Sequence, residues 1–68
     1  MKLKLGRKFI KIDCIRKVRR VGRRIAEIQF KTGEKVRVVC GVQVPDGAVL
    51  SYAGSVEDLI ALIERLKD

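Results

Sequence analysis

The sequence predicts a mainly β domain that ends in one α-helix: a strongly twisted antiparallel sheet, or a small partly closed barrel, capped by that helix. Two patterns carry the prediction. Short stretches with period-two alternation, separated by glycine-containing turns, fill residues 1–54. A single apolar stripe at helical spacing, Val56, Leu59, Ile60, Ile63 and Leu66, fills residues 55–68. The length of 68 residues adds a bound: such a chain buries only about 60% of the surface its unfolded form exposes, so one domain with one small core is expected.

Taken in order, Gly6-Arg7 is expected to turn a first hairpin between Lys2–Leu5 and Lys8–Asp13, with Ile10 and Ile12 on one face. Gly22-Arg23 is expected to turn a second, joining Arg16–Val21 to Arg24–Lys31 through a two-residue type II′ loop with its glycine first. Thr32-Gly33 leads into Glu34–Cys40, where Val36, Val38 and Cys40 alternate with Lys35, Arg37 and Val39 in the manner of a half-buried strand. Gly41 interrupts that alternation and suggests a bulge. GVQVPDGAVLSY then resembles a further hairpin closed by Pro45-Asp46-Gly47, a type I turn followed by a left-handed residue. The helix has the firmest signals. Ser55 is a natural N-cap, Asp58 occupies the third helical position, and Glu57 and Asp58 at the start with Arg65 and Lys67 at the end suit the helix dipole. Its stripe must cover something, and the inward faces of the strands are the partner the chain offers.

Hydrophobic residues at 47% and charged residues at 35% indicate a compact soluble domain rather than a disordered tail. The net charge of +8 is unevenly placed: residues 1–40 hold 14 cations against 3 anions, net +11, and residues 41–68 hold 2 against 5, net −3. Segregation of this kind predicts a binding face and a structural remainder. The start, MKLKLGRKF, lacks the apolar core of a signal peptide and no apolar run approaches a membrane span, so a cytoplasmic protein without membrane contact is expected. Cys14 and Cys40 are expected to be small core residues, with a bridge between them as the alternative. With two cysteines and no histidine, no metal and no cofactor are expected. Catalysis is not expected either: Ser51, Ser55 and Asp13 have turn or cap readings, and a carboxylate beside Cys14 disfavours a thiolate.

The densest charge lies in RKVRRVGRR, residues 16–24, six cations in nine. In a hairpin these alternate between faces, and at least three are expected on the exposed one. Arginine suits phosphate because its planar fork donates two parallel hydrogen bonds at any physiological pH. Edge protection of a sheet accounts for one or two such charges, but not for net +11 in one half of the chain. Aromatic residues number only three, Phe9, Phe30 and Tyr52, with Phe30 expected inside, so duplex ranks above single strand as the polyanion.

IRKVRRVGRRI, residues 15–25, resembles the central hairpin of the small basic chromatin proteins of Sulfolobus-type archaea, roughly I-K-K-V-W-R-V-G-K-M-I; Gly47-Ala48-Val49 followed by the helix DLIALIERL is a second echo, and together these span about half the chain. The resemblance implies an SH3-like barrel with a C-terminal helix, and duplex DNA bound without sequence specificity by a three-stranded sheet laid on the minor groove, where apolar side chains wedge between base steps. It places Arg19 at the position of a groove-facing tryptophan, Val21 and Arg24 at the two wedge positions, and Ala26 on the groove side. Alternation places Ala26 in the core instead, with Ile28 and Phe30. The expected DNA surface is Arg19, Val21, Arg23, Arg24 and Arg37, supported by Lys17, Lys31 and Lys35. KTGEKVRVV before the serine-capped GSVEDLIALI also resembles small bacterial β-β-β-α regulators, which implies the same fold class and protein–protein regulation. The alternative function is a small regulatory interaction module, viral or cellular, that binds an acidic protein or RNA and dimerises through its sheet edge or helix.

Overall fold

A computed structural model describes residues 1–6, 8–41 and 50–67. Strands β1 (Lys2–Leu5) and β2 (Lys8–Lys11) form an antiparallel hairpin, and a short 3-10 turn (Ile12–Cys14) leads to β3 (Ile15–Arg20). β4 (Ile25–Phe30) and β5 (Lys35–Cys40) continue an antiparallel meander. β6 (Leu50–Tyr52) joins it in parallel with β5, so that the larger sheet has the order β3-β4-β5-β6. Helix α1 (Val56–Lys67) completes the chain. The architecture is the expected mainly β fold with one C-terminal helix. The two sheets remain separate and do not close into a barrel, and the parallel β5–β6 pair departs from an all-antiparallel sheet. The expected Pro45-Asp46-Gly47 turn lies outside the described residues.

Alternation decides which side chains enter the core. Leu3, Leu5 and Ile10 from the hairpin meet Ala26 and Ile28 from β4, Val38 and Cys40 from β5, and Val56, Leu59 and Ile63 from α1. Fully burying one such aliphatic side chain is worth about 1.5–3 kcal/mol. Ala26 has no exposed surface, so alternation, not the family match, places it correctly. Strand β3 departs from simple alternation. Its register with β4 shifts between Ile15 and Lys17; the extra residue, Arg16, lets Ile15 and Val18 face the same core although three positions apart, which a regular strand forbids.

The turns are built differently from one another. Gly33 at φ +94° and Gly41 at φ +80° take the left-handed conformation that only glycine adopts cheaply. Gly41 thereby ends β5 and donates its N–H to the carbonyls of Tyr52 and Gly54, at 2.8 and 2.9 Å. Gly22 is not left-handed, so no type II′ turn forms there. Residues 21–24 make a four-residue loop, closed by the N–H groups of Val21 and Gly22 on the Ile25 carbonyl at 3.0 and 3.2 Å.

Ser55 caps α1 as expected, its Oγ accepting the Asp58 N–H at 3.1 Å. Both ends of the helix are tied to β3. Glu57 in its first turn pairs with Arg20, and Lys67 in its last turn donates from Nζ to the Arg16 carbonyl at 2.9 Å. The helix therefore runs antiparallel to β3 and covers the inner face of the larger sheet. The cysteines are both free: Cys40 is buried, as expected, but Cys14 is exposed at the end of the 3-10 turn, which is neither a core position nor a bridge. Ser51 is buried within β6 rather than placed in a turn.

Candidate nucleic-acid interface

With one face of the β3–β4–β5 meander given to the helix and core, the other is open. The register lays out its side chains in cross-strand rows: Lys17, Gln29 and Lys35 in one, Arg19, Glu27 and Arg37 in the next, then Ile25 with Val39. Lys17, Arg19, Lys35 and Arg37 are all exposed. Standard sheet spacings put successive rows about 7 Å apart and set the β3 and β5 cations about 10 Å from one another across β4. The result is a lattice of four cations around one carboxylate.

Glu27 organises that lattice. Its side chain is only 12% exposed between its two arginine neighbours, and it accepts a hydrogen bond from Arg19 Nε at 3.1 Å. Arginine has five N–H donors. Engagement through Nε fixes the plane of the Arg19 guanidinium and leaves both terminal nitrogens free, the geometry that a bidentate phosphate contact requires. The described residues contain two ion pairs, Arg19–Glu27 and Arg20–Glu57. The charges of Lys17, Lys35 and Arg37 are thus uncompensated by any pair among the described residues.

The remaining expected site residues fall elsewhere. Val21, 39% exposed, and Arg23 lie in the loop at the end of the sheet, beside the half-buried Ile25 and Val39. Arg24 presents its carbonyl to the Cys40 N–H at 2.6 Å, one step beyond the Ile25–Val39 pair and so on the Ala26 side of the alternation. Lys31 lines a separate hollow with Asp13, Arg16 and Lys67 at the C-terminal end of the helix. Of the six cations in residues 16–24, only Lys17 and Arg19 project from a strand onto the outer face, not three. Arg16 occupies the bulge, and Arg20 folds back, donating to the carbonyls of Gly22 and Arg23 at 3.1 and 2.9 Å as well as to Glu57. The outer face is completed from β5, by Lys35 and Arg37.

A further cationic face, absent from the expected surface, lies on the outside of the first hairpin, which presents Lys2, Lys4, Phe9 and Lys11. The signal in the sequence is the alternation of KLKL; KFIK carries none, because its apolar Phe9 faces out beside Lys11. On the core side, burial pushes the Cys40 thiol above its ordinary value, opposed by a backbone hydrogen bond from Ala26 and reinforced by the charge of Glu57. This thiol is packing material. Among the described residues no helix is long and apolar enough to cross a membrane. No protein-family model matches the chain, and no curated protein or solved structure matches it significantly.

Proposed function

We propose that the protein is a non-catalytic, architectural binder of double-stranded DNA that uses the outer face of the β3–β4–β5 sheet without reading base sequence. The observation that carries this reading is the pair of cross-strand rows that sets Lys17, Arg19, Lys35 and Arg37 on one helix-free face around a single, already paired carboxylate. Four cations at sheet spacing neutralise phosphates and release counterions, which supplies affinity but no sequence information. The loop end, with Val21 and Arg23 beside Ile25 and Val39, sits at the edge of the groove. Arginine at position 19, where the archaeal chromatin proteins that the hairpin resembles carry a larger apolar side chain, favours electrostatic recognition of a narrow minor groove over strong kinking. Such a protein works on the chromosome.

The test is a salt titration of binding to a random-sequence DNA duplex, followed by fluorescence anisotropy, with an RNA duplex as competitor. Micromolar or tighter binding, a log–log salt slope of about −3.6 for four phosphates, and weaker competition by the A-form RNA helix are expected. Binding that is equal for every polyanion and gone at physiological salt overturns the DNA reading. A saturable one-to-one complex with an acidic protein would then identify the interaction module instead.

A further inference from the structure

The outer face of the β1–β2 hairpin is cationic like the first surface but different in kind. Its register sets Lys2 directly opposite Lys11 and Lys4 opposite Phe9, while Leu3, Leu5 and Ile10 turn into the core. Phe9 is 63% exposed although the strand that carries it has a core on its other side. Lys4 Nζ lies over the ring, 5.9 Å from its centroid, at the outer limit of a cation–π contact. Like charges directly opposite in a ladder repel, and the first twelve residues hold five cations and no acid. Nothing within the hairpin's own sequence neutralises Lys2 and Lys11. Phe9 also lines two shallow hollows, one with Phe30 and Glu34 and one with Phe30, Val36 and Arg37.

An exposed ring with three lysines on its own hairpin face and one acid at its border matches an unpaired nucleotide: the base stacks on the ring, and the flanking phosphates meet the cations. A duplex hides its base faces in its own stack, so it satisfies the lysines and leaves the ring bare. We propose that this face binds a single-stranded nucleic-acid segment, with one base stacked on Phe9 and its phosphates held by Lys2, Lys4 and Lys11. The site goes beyond the duplex face and does not depend on it. The two faces belong to different sheets and meet at one place, a hollow that Phe9 lines together with Arg37; Lys17 and Arg19 on β3 line neither hollow beside Phe9.

The chain has no tryptophan, so Phe9→Trp introduces a single fluorescent reporter at the site. Titration with a 12-nucleotide oligothymidine is expected to quench it saturably, and a blunt DNA hairpin is expected not to. In parallel, anisotropy of labelled oligothymidine is expected to show about 5- to 150-fold weaker binding for Phe9→Ala, the loss of one stacked base. Phe9→Leu, which keeps the apolar bulk without the ring, should lose comparably. Absence of quenching, equal quenching by the hairpin, or parent-like binding by Phe9→Leu overturns the proposal. Placing the reporter in a Lys17→Gln/Arg19→Gln background separates the two surfaces, because both side chains project from β3 and neither lines a hollow with Phe9. The quench is expected to survive there while duplex affinity falls; loss of the quench would put the oligothymidine on the first face and overturn the proposal, and a quench retained where the parent shows no duplex binding would sink the duplex reading alone.

Discussion

Arg19 and Arg20 are neighbours in sequence and opposites in structure. Arg19 projects from the outer face of β3, its Nε fixed by Glu27 and its terminal nitrogens free. Arg20 turns to the helix side, where Glu57 and two loop carbonyls use its donors. The same contrast holds for the sheet as a whole: the inner face packs Ala26, Ile28 and Val38 against α1, and the outer face sets cations in rows. The difference teaches that charge density along a chain does not define a binding surface. The pleat divides the charges, and one share goes to holding the helix in place.

The inner face should be the more sensitive to substitution. Ile28→Ala empties a fully buried position in a central strand and is expected to cost about 2–5 kcal/mol, a large part of the roughly 3–10 kcal/mol available to a chain of this size. Chemical denaturation should show it as a shifted midpoint; an unchanged midpoint would mean that the two-sided sheet described here is wrong. Arg20→Ala is expected to cost about 1 kcal/mol through the loosened helix and loop, with an unchanged salt slope for duplex binding. Arg19→Ala should do the reverse, leaving the midpoint nearly in place and flattening the slope by about 0.9.

Glu27→Gln sharpens the comparison further. It removes the carboxylate at the centre of the outer face, so duplex binding should tighten several-fold, while loss of a pair exposed on its arginine side and nearly covered on its carboxylate side costs about 1 kcal/mol of stability. Weaker binding by this variant would show that Glu27 serves mainly to hold Arg19 in place. The smallest effect concerns Cys40. Its folded-state thiol is raised above the ordinary 9.0, chiefly by burial, so the folded protein holds that proton where the unfolded chain releases it. Stability from this group is complete below the ordinary value and is lost as pH rises through the folded one. Alkaline denaturation curves should therefore fall less steeply for Cys40→Val than for the parent. In the same samples a thiol reagent should modify Cys14 before unfolding and Cys40 only after.

Much of the fold was legible because local signals agreed. The α1 stripe, its Ser55 cap and its terminal charges all name the same helix, and the alternation in β4 and β5 sorts Ala26, Ile28, Val38 and Cys40 inward. The bulge at Arg16 was hidden because one cation more or less in RKVRR changes no visible pattern, yet it decides which of those cations face out. The loop after β3 differs from the expected two-residue turn because glycine permits a left-handed conformation without demanding one. The parallel pairing of β6 is non-local and leaves no mark in a short window. For the interface, the excess of charge was legible, whereas its division between faces waited on register. Lys31 enters the expected surface as a flanking cation and Arg24 through the wedge position that the hairpin resemblance gives it, and the first hairpin is hard to single out because its lysines are spaced rather than clustered.

The most direct test compares two double variants of equal net charge in duplex salt titrations: Arg19→Gln/Arg37→Gln on the outer face of the sheet and Arg65→Gln/Lys67→Gln on the last turn of the helix. The outer-face pair is expected to flatten the slope by about 1.8 and weaken binding to every sequence alike, while the helix pair leaves the slope within error of the parent. Equal losses from the two pairs would contradict the central claim, because net charge alone, and not the face that β3, β4 and β5 build, would then account for binding.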